Sequence, residues 1–290
     1  MTSAAPASPA GASWIAPWWR THRLALLMGL PAVAFLVAFF ALPVLRLLML
    51  SIEDGSLVHY EKALGDRLYL QVLWETVRIA AIVTIVSLLL GYPLAHFLAT
   101  AAPIPAAIGL ALLLLPFWTS VLVRTYAWMI LLGRNGVVNR FLIESGLIER
   151  PLPLLNNESG VIIGMVHVLL PYMVFPIYGV MRRVDRDLLS AAEGLGAPAH
   201  AVFRRVYFPL TLPGVIAGST LVFVLSLGFF ITPALLGGGR VMMVGVLIEQ
   251  QVRQFLNWEF AAALSTVLLA TALLLYALLR RLPGGEVRWH

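Results

Sequence analysis

The sequence predicts an all-α membrane protein of six transmembrane helices, and three observations carry that prediction. Of its 290 residues, 60% are hydrophobic and 12% charged, where soluble domains carry roughly 25% charged residues. The mean hydropathy is +0.90. Six apolar stretches, about 24–50, 72–99, 104–130, 160–181, 213–236 and 259–280, reach the length needed to cross a bilayer, about 20 residues as a helix.

The elements follow in chain order. Residues 1–23 are rich in Ala, Pro and Ser and read as a disordered tail, with Arg20 and Arg23 just ahead of the first span. That span is charge-free from residue 24 to 45, longer than the apolar region of a cleaved signal peptide (about 7–15 residues), so it is expected to stay in place. The second span carries Arg78 near one end and His96 near the other. The third has Arg124 near its outer end, the fourth His167, and the fifth and sixth have uncharged cores. Together residues 24–281 are expected to form one membrane domain, followed by a short tail over 282–290. The intervening outer loops hold turn signals such as Gly133-Arg-Asn-Gly136, Pro151-Leu-Pro153 and Gly237-Gly-Gly239.

Six spans put both termini on one side. The 20 Lys and Arg residues divide evenly between the two sides, so the positive-inside rule does not choose an orientation. The choice rests on the long loop 182–212, which with Pro213 reads RRVDRDLLSAAEGLGAPAHAVFRRVYFPLTLP. Leu188, Ala191, Ala192 and Leu195 recur at helical spacing, and Gly196 and Pro198 stop that helix. Val202, Phe203 and Val206 mark a second short helix, expected to end at Pro209. Small residues at the turn let another protein's backbone come close. The same composition also fits an ordinary basic loop between spans.

Composition excludes several chemistries. With no Cys, the chain has no disulfides and no Cys-based metal centres. The pI near 10.1 is explained by arginines beside spans and by the lipid bilayer, with no call for a nucleic-acid partner. A phosphate-binding loop needs Lys after a Gly-rich turn, yet the single Lys is Lys62. The chain is therefore not expected to be an enzyme, and any ATP and Mg belong on another subunit. Neither His-Glu-x-x-His nor Gly-x-Ser-x-Gly occurs. His96 and His167 suit a proton relay or, more simply, a hydrogen bond between helices.

At Ser190-Ala-Ala-Glu-Gly-Leu-Gly196 and Phe208-Pro-Leu-Thr-Leu-Pro213 the sequence resembles the EAA loop of permease subunits of ABC importers. Leu115-Pro-Phe-Trp-Thr-Ser-Val-Leu-Val-Arg-Thr-Tyr-Ala-Trp128, Gly136-Val-Val-Asn139, Pro233-Ala-Leu-Leu-Gly-Gly238 and Asn257-Trp258 resemble the spermidine/putrescine-type branch. The resemblance implies the six-helix type I permease (MetI-like) fold with both termini cytoplasmic, in a bacterial inner membrane. It implies two cytoplasmic ABC ATPase subunits, a second and different permease, and a solute-binding protein outside. Residues Ser190, Ala191, Ala192, Glu193, Gly194, Leu195 and Gly196 would then couple to the ATPase. Ser190 stands where the motif has Glu, so any ion pair of that Glu is missing or supplied by Glu193.

For the solute path, the candidates are Trp118, Thr119, Arg124, Tyr126 and Phe229. Their rings and hydrogen-bonding groups suit a wet passage; Arg124, Tyr126 and Trp128 also suit interfacial anchoring. Polyamine permeases of this branch often have an acid where Phe229 stands, which would suit a cationic amine as Phe229 does not. The cargo is expected to be a small polar solute, polyamine-like or a related amine or amino-acid derivative, with a phosphonate as a further alternative. The alternative class is an ion-coupled carrier working without an ATPase.

Overall fold

The computed structural model describes residues 28–52 and 57–280. The expected tails, 1–23 and 282–290, lie outside the described residues. Twelve helices and no strands occur among those described. The first, α1 (Met28–Leu50), is a unit by itself. It is apolar until Arg46, contains a π-helical turn at Val37–Ala41 ahead of Pro43, and stacks Phe35 on Phe39 at 4.8 Å.

The second unit is built on α3 (Arg67–Thr100), α7 (Glu158–Met181) and α9 (Ala199–Leu227). α3 and α7 run in the same direction and α9 runs against them. Lipid is as apolar as Leu, so burial from water does not drive helices together inside a bilayer; close packing does. Met173 of α7 is fully buried where the three helices meet. A Cβ on Gly218 of α9 would lie 2.8 Å from the Met173 carbonyl oxygen, and one on Gly214 would lie 2.9 Å from that of Pro176. Gly214 and Gly218, four residues apart, thus lay α9 against the backbone of α7.

Of the described helices, five are long and apolar enough to cross a membrane, and a sixth crossing results if one bent pair is taken as a single span. That pair corrects the expectation for 104–130. The apolar stretch is split into α4 (Pro103–Leu114), a 3-10 turn over Leu115–Trp118, and α5 (Val121–Leu132), with a 104° bend at the break. Pro116 has no N–H to give the preceding turn. Ser120 then restarts the chain by accepting a bond from the Leu122 N–H at 3.3 Å.

The expected span 213–236 is displaced as well. The second hairpin helix does not stop at Pro209: α9 runs unbroken from Ala199 to Leu227. A π-helical turn over Phe203–Tyr207 widens the helix, and the Phe208 N–H reaches the Phe203 carbonyl. Pro209 then sits in the first turn of the resumed α-helix, where a missing N–H is tolerated. At its other end α9 breaks at Gly228–Phe230 before the short α10 (Ile231–Leu236). Hydropathy is blind to both breaks, since the few uncharged polar residues near them, such as Thr119, Ser120 and Thr232, leave each stretch apolar on average.

The remaining helices are α2 (Val58–Gly65), α6 (Val137–Glu144), α8 (Arg186–Gly194), α11 (Val244–Arg253) and α12 (Trp258–Arg280). At the end of the bundle opposite α8, Arg78 bonds Glu75 at 2.9 Å and Glu158 at 2.5 Å, joining α3 to α7. Thr76 accepts from the Val244 N–H at 2.9 Å and so fixes the start of α11.

Candidate functional site

The hairpin of α8 and the first turns of α9 is shaped by local chemistry. Asp185 caps α8 by accepting from the Asp187 N–H at 2.9 Å, and Asp187 places a negative charge in the first turn. Ser190 donates to the Arg186 carbonyl at 3.2 Å. Its one hydrogen-bond donor is therefore used within the helix, and it carries no charge to offer outward as a glutamate would. The helix ends in a Schellman motif: the Gly196 N–H bonds the Glu193 carbonyl at 2.9 Å and the Ala197 N–H bonds that of Ala192 at 3.2 Å. Such an end needs a left-handed residue, and Gly196 supplies it with φ +82°. Pro198 then opens α9 by accepting from the Ala201 N–H at 2.8 Å.

One face of the hairpin is tied down. Val202 and Tyr207 are buried, and Val184 and Leu189 pack against the core. The Tyr207 hydroxyl meets His96 Nδ1 at 3.0 Å, and Tyr92 meets Thr211 at 3.1 Å. Phe203 and Phe208 close an aromatic group around Tyr92. The other face is open. Leu195 is 90% exposed at the tip, and Leu188, Ala191, Glu193 and Gly194 are exposed with it. A Cβ added at Gly194 or Gly196 would meet nothing within 4 Å. An apolar tip on a rigid base is a surface made for contact.

The path candidates divide into three groups. Trp118, 90% exposed, and Thr119 occupy the break between α4 and α5, where the Thr119 hydroxyl donates to the Pro116 carbonyl at 3.0 Å. Non-helical backbone at membrane depth persists only inside protein or beside water. Arg124 turns toward α7, near enough to Tyr172 and His167 to act on them electrostatically, and its Nε is buried with no hydrogen-bond partner. Beside it Trp128 donates to His167 Nδ1 at 3.2 Å. Tyr126 is exposed, away from that contact. Phe229 lies at the second break, half-buried against the core. α5 and α10 connect the two breaks through Thr125 and Thr232, 3.3 Å apart and both buried.

Three residues matter more than sequence reasoning indicated. Asn139, fully buried, donates to the carbonyls of Gly133 and Leu152 at 3.0 Å each and accepts from the Leu152 N–H at 2.8 Å. It holds the α5–α6 turn to the loop before α7. An asparagine directly after Val137-Val138, just past the Gly133–Gly136 turn, was the available signal. Gly214 and Gly218 were legible as a four-residue glycine spacing. The pair Gly160 and Gly164 has the same spacing, but there Gly164 packs against Leu236 and Thr232 of α10. Among the described residues no cluster of three metal-ligating side chains occurs.

Comparison with known proteins fits this geometry. Residues 23–283 match the model of the binding-protein-dependent transport system inner membrane component family. The chain is 38% identical to the spermidine/putrescine transport system permease protein PotB of Haemophilus influenzae, covering 88% of this chain and 93% of that one. Against PotB of Escherichia coli K12 it is again 38% identical, covering 88% and 97%. In fold it is similar to a chain of a bacterial alginate ABC transporter crystallised with its alginate-bound periplasmic protein. The TM-score is 0.70 with 18% identity, over 92% of this chain and 98% of that one. The chain belongs to the binding-protein-dependent transport system inner membrane component family, as a multi-pass inner-membrane permease of an ABC import system.

Proposed function

We propose that this permease forms one half of the membrane pathway of an importer for polyamines or a closely related small amine. The PotB relatives, named for spermidine and putrescine, support the solute class, since similarity to them extends over 88% of the chain. The exposed hairpin tip around Leu195 and Gly196 is the observation that carries the coupling role. Residues 190–196 dock on a cytoplasmic ATPase, which sets the hairpin and both termini in the cytoplasm.

Two ATPase subunits bind and hydrolyse ATP with Mg, and this chain supplies no nucleotide site. A second, different permease completes the pathway, and a solute-binding protein delivers cargo to the opposite face. Closure of the ATPases moves the hairpins together and rocks the bundles between inward- and outward-open states, driven by the difference in docking between those states. Trp118 and Thr119 line the passage. Aromatic rings attract organic cations (about 0.5–2 kcal/mol each), which compensates for the lack of a carboxylate at Phe229.

The test is uptake by the complete complex in proteoliposomes, with ATP inside and binding protein outside. Spermidine or putrescine should accumulate only with ATP, and vanadate should stop it. Uptake without ATP that a protonophore collapses would instead indicate an ion-coupled carrier.

A further inference from the structure

A cavity of about 230 Å³ lies at the base of the hairpin, lined by Ala99 and Thr100 of α3, Met181 of α7, Arg182, Val184, Arg186, Leu189 and Tyr207. Ala99 and Thr100 end one long apolar helix and Met181 ends another, so the cavity opens where two spans leave the bilayer, at the depth of lipid headgroups. Arg182 and Arg186 stand on its rim. Among the described residues neither guanidinium is paired with a carboxylate, and no acid lines the cavity. The nearby acids lie off the lining: Asp185 caps α8 by accepting from the Asp187 N–H, and Asp187 lies on α8. Arg186 is near enough to the Tyr207 oxygen to act on it electrostatically. The Thr100 hydroxyl donates to the His96 carbonyl at 2.8 Å and keeps lone pairs free.

The geometry points to a site for the phosphate of an anionic phospholipid. Two unpaired guanidiniums at the headgroup level bind a phosphate oxygen pair by charge-assisted hydrogen bonds, which arginine's planar fork favours. Ala99, Met181, Val184 and Leu189 form an apolar wall beside them. A lipid fills that wall with its glycerol and first chain carbons, whereas a free phosphate has nothing to place there. This separates the two sources of the same anion and favours the lipid. Basic pockets between helices at the membrane face bind anionic headgroups on these terms. Because Tyr207 and Leu189 belong to the hairpin, an occupied site would brace it against the ends of α3 and α7.

The inference does not depend on the solute or on docking, and its test separates them. The complete transporter, purified in detergent, is titrated with dioctanoyl phosphatidylglycerol, dioctanoyl phosphatidylcholine and inorganic phosphate, with bound lipid read by native mass spectrometry. Phosphatidylglycerol should bind saturably and in preference to phosphatidylcholine, and inorganic phosphate should not displace it at equal concentration. Arg182→Gln and Arg186→Gln should each weaken phosphatidylglycerol about fivefold, while Arg182→Lys with Arg186→Lys should retain most of the preference. Co-purification of the ATPase reports docking separately. Equal lipid binding by the glutamine variants would overturn the site, as would equal binding of the two lipids. Displacement by phosphate would overturn the lipid assignment.

Discussion

The Tyr207 hydroxyl lies 3.0 Å from Nδ1 of His96, joining the hairpin end of α3 to α9 directly behind the π-helical turn. The rings meet edge to face with centroids 5.2 Å apart. The pair ties the hairpin to the bundle in addition to the backbone of α9, so the proposed coupling motion would load it.

Tyr207→Phe keeps the ring contact and removes the hydroxyl. It should cost about 1 kcal/mol of stability, leave the complex assembled, and reduce the stimulation of ATP hydrolysis by loaded binding protein. Thermal unfolding and stimulated ATPase rate, measured on the same preparation, check both halves.

Substitution at the two exposed hairpin glycines should separate folding from docking. Gly194→Ala has room and ends a helix, so the permease alone should be unchanged or stabilised by about 0.5–1 kcal/mol. Association with the ATPase should nevertheless weaken if a partner backbone approaches there. Gly196→Asp forces a left-handed conformation on an L-residue, costing about 1–2 kcal/mol, and places a charge in the contact. It should insert in the membrane but abolish ATP-driven uptake. Normal uptake by Gly196→Asp would argue strongly against docking at residues 190–196.

Gly218→Leu tests the packing of α9 on α7. Even a Cβ would sit 2.8 Å from the Met173 carbonyl oxygen, so a full side chain must push the helices apart. The expected loss is at least 1–3 kcal/mol (a range typical of overpacking), visible as lowered Tm and reduced yield of assembled complex. Gly179 of α7, where an added Cβ would meet nothing within 4 Å, is the control position.

Asn139→Ala should be among the most damaging single changes at the far end of the bundle. It leaves the Leu152 N–H and two carbonyls without their partner, a cost on the order of 3 kcal/mol. Thermal unfolding reads it. Trp118→Ala, by contrast, should leave stability within about 0.5 kcal/mol of the parent, since surface substitutions seldom do more, and should raise the KM for the transported solute if the ring lines the passage.

Apolar length alone marks a candidate crossing, so four of the six expected spans coincide with long apolar helices among the described residues. Glu158–Met181 and Trp258–Arg280 lie within about two residues of expectation at each end. The turn at Gly196 was legible because only glycine adopts that φ cheaply. The breaks at Trp118–Ser120 and Gly228–Phe230 were not, since they interrupt helices without interrupting apolarity. The run of α9 through Pro209 depends on a π-helical turn that no residue type announces. Arg124 and Tyr126, two residues apart in the third apolar stretch, could not be assigned faces from sequence, because the bend after Trp118 resets the helix.

Because the chain has no cysteine, a single Leu195→Cys places one thiol at the hairpin tip for a direct test of docking. In the assembled transporter a short bifunctional reagent should join that residue to the ATPase, with the yield changing when ATP is trapped by vanadate. A membrane-impermeant maleimide should label it only from the cytoplasmic face, and less once the ATPase is bound. Labelling from the opposite face, or a tip that cross-links to no second polypeptide, would contradict the account.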